Sequence, residues 1–365
     1  MIRLLEPYLN FDDVSEEFSE VFQNGIFTRG KHVEAFSTEI ADFVGAEHVF
    51  TTTSATTALW TCLKALGVGV GSEVVVSDFS FPASANVIED LGAAPIFADV
   101  CISSFNMLPE ELERKIGSRT KAVMFVDALG NPTGLDDIRD VCRRRGVPLI
   151  EDAACAIGSS INGRRCGSIA DLTCFSFHPR KLINTGEGGA ITTDNDEWAA
   201  WLRTKLAHGA RGMQGVGVDF VEFGYNFRLS ELQAIMGRKQ LAALDRIIDE
   251  RLRIRDAYES ALTPLGFSPQ FIGAGVRHNV QSLVFRVPDG WRRDELVAHL
   301  KSAGIESTLG TYSISATSYY RGRYANVQPN SLSLMEKTIT LPCYSSVDVD
   351  AVVAGIASFA RSSDA

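Results

Sequence analysis

The sequence predicts an α/β fold: a mostly parallel sheet with helices on both faces, followed by a smaller C-terminal α/β unit. Strand-like and helix-like segments alternate through the first half, the order that builds parallel sheets. A long helical stretch over residues 229–262 then interrupts the alternation, and a shorter α/β pattern follows it. The length of 365 residues and a hydrophobic content of 45% suit one large plus one small domain with a sizeable core. The boundaries expected from this are 1–240 for the large domain, including the N-terminal segment, and 241–365 for the small one, linked by the long helix.

Residues 47–52 end a short strand, and 56–66 read as a helix stopped by Gly67. Residues 73–77 form a β-branched strand. A helix opens at Pro82 and closes at Gly92, and 95–100 is the next strand. Residues 121–126 and 147–150 are two further strands, with a polar helix over 135–145 between them. In the 229–262 stretch Leu241, Leu244 and Ile248 follow three- and four-residue spacing, with Arg and Asp between, until Pro264 and Gly266 end it. The C-terminal unit reads as a strand over 280–287 and helices over 292–303 and 347–360. No internal repeat or low-complexity tract is present.

The net charge of −10 and a pI near 5.2, with no basic stripe, argue against nucleic acid as a partner. Charged residues at 22% argue against disorder. The seven cysteines are odd in number and lack C-x-x-C spacing, which reads as reduced thiols and a cytoplasmic location. His178 and Cys174 lie close in sequence, but no second pair completes a zinc set, so no metal is expected. The opening MIRLLEPYLNFDD carries early acids and no long apolar core, unlike a signal peptide. No apolar stretch approaches the roughly 20 residues that span a bilayer.

Parallel sheets bind ligands at the carboxyl ends of their strands, so the chemistry should lie just after each strand. The first such place is the run from Thr51 to Thr57, almost all small hydroxyl residues, joining a strand to a helix. Free N–H groups and the positive dipole end at a helix N-terminus suit a phosphate; an ordinary Ser/Thr cap is the alternative. The second is Glu151-Asp152-Ala153-Ala154 at the end of an apolar strand, where a carboxylate reaches the ligand edge; a surface turn, a helix cap or a metal ligand are the alternatives. The third is Phe175-Ser176-Phe177-His178-Pro179-Arg180-Lys181, followed by Glu187-Gly188-Gly189. Ser176 and Lys181 lie five apart on a segment broken by Pro179, so this is no helix. A lysine between apolar strand residues and a glycine turn is partly desolvated and becomes nucleophilic, whereas a solvated surface lysine is the plain alternative. Taken together in this chain order, the three places meet the needs of pyridoxal 5′-phosphate (PLP). A loop anchors its phosphate, an acid keeps the pyridine nitrogen protonated, and a lysine forms the Schiff base and moves the proton.

The stretch EDAACAIGSSINGRRCGSIADLTCFSFHPRKLINTGEGGAITTD resembles the central motif of the DegT/StrS family of sugar aminotransferases, which have the type I aminotransferase fold. GIFTRGKHVEAFSTEIADFVGAEH, TTSATTALWTCLKALGVGVGSEVVVSDFSFPASANVI, GYNFRLSELQAIMGRKQL and LPCYSSVDVD extend the resemblance nearly end to end. It implies that Lys181 carries the cofactor, that Asp152 pairs with the pyridine nitrogen and that Phe81 stacks on the ring. It also implies that Ala55, Thr56 and Ser176 hold the phosphate and that Asn226 reaches the phosphate of a neighbouring subunit in a homodimer. The implied reaction moves an amino group from an amino acid, L-glutamate, through pyridoxamine phosphate to a keto sugar, a nucleotide-linked keto-deoxysugar. A cyclitol or other ketone acceptor, a PLP lyase or dehydratase, and a non-catalytic regulator remain alternatives. The sequence departs from the family pattern at Ala55, where glycine is usual, and at Cys155, beside the cofactor's phenolic oxygen, where Gln or Glu is usual. It departs again over residues 310–314, which lack the expected histidine. Asn131, in Gly130-Asn131-Pro132, reads as a turn residue.

Overall fold

The computed structural model describes residues 1–214 and 216–363. Seven strands form the central sheet: β1 (His48–Thr52), β2 (Glu73–Ser77), β3 (Ala94–Ala98), β4 (Thr120–Val126), β5 (Leu149–Asp152), β6 (Leu172–Ser176) and β7 (Gly189–Thr193). Their spatial order is β1-β7-β6-β5-β4-β2-β3. β7 runs antiparallel to both neighbours, and the other pairs are parallel. The expected α/β fold with a mostly parallel sheet is therefore present.

The apolar runs of the strands are buried on both faces, as parallel sheets require. Val74, Val76, Met124 and Ile150 pack with Ala58, Leu59, Cys62 and Leu63 of the helix Ala55–Ala65. The alternate residues Val75, Val123, Phe125 and Leu149 pack with Leu135, Ile138 and Val141 of the helix Leu135–Arg145 on the other side. The strand expected over 147–150 starts two residues later and continues to Asp152. Pro148 has no N–H to give to a ladder, and its carbonyl accepts from Val123 N at 3.0 Å before the strand proper begins.

The helical stretch expected over 229–262 is two helices, Glu231–Ala242 and Leu244–Leu262, with a turn at Ala243. The second links two cores. Leu244, Ile247 and Ile248 pack under the large sheet, whereas Tyr258 and Leu262 enter the C-terminal core. That core lies on a four-stranded antiparallel sheet of β8 (Ser268–Pro269), β9 (Leu283–Arg286), β10 (Thr308–Leu309) and β11 (Thr338–Leu341), in the order β8-β9-β11-β10. Leu296, Leu300, Val352 and Ile356 cover it from the helices Arg293–Ser302 and Val349–Ser363. The start of the chain is stitched to this unit: Ile2 bridges Ile305, and Leu4 N donates to Glu306 Oε2 at 2.8 Å. No helix among the described residues is long and apolar enough to cross a membrane.

Candidate active site

The carboxyl ends of β4, β5 and β6 share one edge of the sheet, and Asp152 is the last residue of β5. It is 5% exposed. Ser84 Oγ donates to its Oδ2 at 2.7 Å, and Ala154 N donates to Oδ1 at 3.2 Å. Burial pushes its pKa up; the Ser84 and Ala154 bonds and the positive charge of Lys181 act the other way. Ser84 is itself placed by Ser80, whose hydroxyl is 2.9 Å away one turn before it. A buried carboxylate at a ligand edge with so few donors is a strong place for a cationic N–H.

Asp127, at the end of β4, and Glu151, one residue before Asp152, form a second buried acid pair. Glu151 Oε2 accepts from Thr173 Oγ1 at 2.7 Å and Gly167 N at 3.2 Å. Neither Asp127 carboxylate oxygen nor Glu151 Oε1 has another partner among the described residues. Burial, with the neighbouring Glu151 charge next, raises the Asp127 pKa well above the usual carboxylate range, which favours a proton shared within this pair.

The hydroxyl-rich run forms a capped helix start. Ser54 Oγ accepts from Thr57 N at 3.1 Å, and Ser54 N donates to Thr57 Oγ1 at 3.1 Å. The first intrahelical bond runs from Ala58 N to Ser54 O, which leaves the first-turn N–H groups of Ala55 and Thr56 for an anion. Thr56 is exposed and Ala55 half-buried. Beneath the loop, Gly189 pairs with Thr52 on one side and Ser176 on the other. A Cβ at 189 would lie 2.6 Å from Ser54 C and 2.7 Å from Ala55 N. The glycine of the Glu187-Gly188-Gly189 turn thus lets the loop sit directly on β7, next to the Ser176 hydroxyl.

Lys181 follows in a tight turn, its N–H bonded to His178 O at 2.8 Å. Gln281 of the C-terminal unit brackets it: Oε1 accepts from Leu182 N at 2.9 Å, and Nε2 donates to Arg180 O at 2.7 Å. The half-buried Lys181 Nζ donates to Cys155 Sγ at 2.9 Å. Asn279 Nδ2 holds the Cys155 carbonyl at 2.8 Å, so one stretch of the C-terminal unit positions both partners.

Phe81 is 64% exposed, with its ring edge-on to Tyr312 at 6.2 Å. Tyr312 is placed by strand pairing with Ser80 and by the buried Asp78, which accepts from the hydroxyls of Ser313 and Ser315 at 2.8 and 2.9 Å and from Ser315 N at 2.7 Å. This clamp occupies the segment where a histidine was expected. Asn131 caps its own turn, accepting from Thr133 N at 3.1 Å, and donates to Phe271 O at 3.0 Å, which fits its reading as a turn residue.

Lys181, Cys155, Asp152, Ser176, Ala55 and Phe81 are therefore gathered at or beside the carboxyl edge. Asn226 stands apart: it is exposed, between Tyr225 and Phe227, whose stacked rings lie edge-on to Trp60 on the helix Ala55–Ala65. Ser84, Gln281 and Asp78 did not stand out in the sequence and had no local signal; Gly189 did, as part of the glycine pair after a strand-flanked lysine.

The donor set fits PLP. Helix-start N–H groups and hydroxyls meet a phosphate, a buried acid sits at the sheet edge, a lysine stands near that acid, and an exposed aromatic ring flanks the site. Fold and site together define a PLP-dependent enzyme of the type I aminotransferase class. The chain belongs to the DegT/DnrJ/EryC1/StrS aminotransferase family, whose model matches residues 11–358. It is 33% identical to the spore coat polysaccharide biosynthesis protein SpsC of Bacillus subtilis, over 98% of this chain and 97% of that one. It is 32% identical to a GDP-perosamine synthase of Vibrio cholerae, over 94% of each. The crystal structure of the aminotransferase TlmJ from Streptoalloteichus hindustanus matches with a TM-score of 0.94 at 29% identity, covering 100% of both chains. The chain is thus a PLP-dependent aminotransferase.

Proposed function

We propose that the enzyme moves an amino group from L-glutamate to a keto sugar carried on a nucleotide, with Lys181 as the cofactor's covalent anchor and proton carrier. The observation that carries this is Lys181 itself, its backbone neighbours bracketed by Gln281 and its amine held by Cys155 at the strand edge beside the buried Asp152. The relatedness to GDP-perosamine synthase supports the nucleotide-linked acceptor.

When bound, PLP supplies an electron-withdrawing ring that stabilises negative charge at the carbon losing its proton. Asp152 would face the pyridine nitrogen and keep it protonated. Ser84 orients that carboxylate. Ala55 and Thr56 N–H groups, with the Ser176 and Thr56 hydroxyls, would hold the phosphate and so fix the ring. Phe81 would cover one ring face. Lys181 Nζ, when free, would move the proton from the donor carbon to the cofactor's C4′ in the first half-reaction and from C4′ to the acceptor carbon in the second; its place at the site edge suits it to that role. Cys155 Sγ accepts from Lys181 Nζ and holds that amine in place between the two half-reactions. The residue that brackets Lys181, Gln281, comes from the C-terminal unit, so that unit helps to fix the lysine.

The active form is proposed to be a homodimer in the cytoplasm, where the free thiols stay reduced. Asn226 of one copy would reach the phosphate of the other. Exposed apolar side chains on the segments around it, Phe27, Phe220 and Phe223, support a covered surface there. The test is to convert the enzyme to its pyridoxamine-phosphate form with L-glutamate and then screen nucleotide-linked keto sugars for return of the starting near-visible absorbance. Return with a nucleotide-linked keto sugar and not with the free sugar is expected. Return only with a cyclitol ketone, or none with any sugar, would displace this reading.

A further inference from the structure

Two residues beyond Asn226, Arg228 has its Nε and Nη1 atoms buried with no hydrogen-bond partner among the described residues. The charged group acting on it is another cation, Arg29. The two are held together by the backbone. Thr28 bridges Ser230, and Glu231 N donates to Phe27 O at 2.9 Å. Arg29 adopts a left-handed φ of 56°, a conformation that costs a non-glycine residue roughly 1 kcal/mol and needs outside support.

The adjacent carboxylate does not neutralise them. Glu231 is buried and spends its oxygens on three N–H groups: Gly30 N at 3.0 Å, Val33 N at 3.1 Å and His32 N at 2.9 Å. It caps the helix Lys31–Val44 and is not paired with a guanidinium. The rings of Tyr225 and Phe227 lie against Trp60 on this chain's own phosphate helix, whereas Asn226 between them is exposed.

Two neighbouring guanidiniums with no counter-charge among the described residues, on segments that also expose Phe27 and Phe223, would be costly to cover with a second copy unless an anion arrived with it. We propose that Arg29 and Arg228 form an anion subsite for the diphosphate of the acceptor's nucleotide, bound at the neighbouring copy's active site. This rests on the nucleotide-sugar reading above. Two fixed positive charges match the two charges of a diphosphate diester, and guanidinium forks suit its oxygens. The cofactor's phosphate already has its own donors at Ala55, Thr56 and Ser176. Arg29 is exposed, as expected at a rim where a nucleotide leaves the site.

The test uses the holoenzyme in its pyridoxamine-phosphate form. Inorganic pyrophosphate, GDP, UDP, dTDP and the matching nucleosides are titrated calorimetrically into wild type, Arg228→Gln, Arg29→Gln, the double variant and Arg228→Lys. Pyrophosphate and at least one nucleoside diphosphate are expected to bind, and to lose about tenfold or more in affinity on loss of either guanidinium, with partial recovery in Arg228→Lys. Equal affinity in the double variant and wild type would overturn the subsite. So would an equal loss for the nucleosides, which would mark a structural collapse. Loss of PLP on dialysis of Arg228→Gln with diphosphate affinity intact would assign the arginines to the cofactor's phosphate and overturn the proposal. Arginine-dependent pyrophosphate binding with no nucleoside diphosphate bound would refute the nucleotide reading while upholding the two-arginine subsite.

Discussion

Replacing Gly189 by alanine should uncouple cofactor binding from folding. The added Cβ would lie 2.6 Å from Ser54 C, 2.7 Å from Ala55 N and 2.7 Å from Ser54 O, all backbone atoms. Ordinary contact begins at 3.4 Å, so the loop and the strand must part by roughly 0.8 Å. Gly189 cannot easily yield, because β7 is hydrogen-bonded on both sides, to Thr52 in β1 and Ser176 in β6. The loop moves instead, and with it the Ala55 and Thr56 N–H groups. Overpacking of this kind costs about 1–3 kcal/mol of stability. A misdirected bond to a charged phosphate costs about 1.5–3 kcal/mol, or about 10- to 100-fold in affinity. The assay is titration of apo-protein with PLP followed by near-visible absorbance, alongside thermal melting of both apo-proteins. An affinity within threefold of wild type in the variant would refute the placement of the phosphate loop on Gly189.

Three other outcomes are expected. Burial pushes His278 down to about 4, and its neutral form donates from Nε2 to Leu129 O. The unfolded chain takes up the proton first, so stability is full above about pH 6.5 and falls as pH drops towards 4, by about 2 kcal/mol at pH 5. Urea melts of wild type and His278→Asn at pH 7 and 5 check this, and an equal pH dependence in both would contradict it. For Asp127 the folded state holds the proton and the unfolded state releases it near 3.8, so this group lowers stability as pH rises. Asp127→Asn should therefore melt higher than wild type at pH 8, with the gap closing towards pH 4, and a lower melting point at pH 8 would speak against a shared proton. Finally, mixing inactive Lys181→Ala chains with inactive Asn226→Ala chains should restore up to about half the wild-type activity per heterodimer, since an isologous dimer then has one intact composite site. No recovery after verified subunit exchange would count against a shared site.

The first five strands of the large sheet were legible because they are written locally, whereas the antiparallel β7 and the strand order were not. Runs such as Val74–Val76 and the Gly67 and Pro82 punctuation need no knowledge of distant residues. Asp152 and Lys181 were legible for a related reason: each lies at or soon after a strand's end, where parallel sheets place their chemistry. What positions them was not. Ser84 reaches Asp152 across 68 residues, Gln281 brackets Lys181 from 99 and 101 residues away, and Asp78 holds Ser313 and Ser315 across 235 and 237. Side-chain partners at such separations leave no periodicity to read. The turn at Ala243 was equally hidden, because no glycine or proline marks it and the apolar spacing continues through it. Cys155 stood out by residue type, yet its contact with the Lys181 amine follows from the Asn279 and Gln281 stretch and not from its own surroundings in sequence.

The account depends most on Lys181 as the residue that carries the cofactor. Reducing the holoenzyme with borohydride and mapping its peptides by mass spectrometry tests this directly. The reduced cofactor is expected on the peptide containing Lys181, and Lys181→Ala treated in the same way should carry no covalent label. A label on another lysine of the wild-type protein, with Lys181 recovered unmodified, would contradict it.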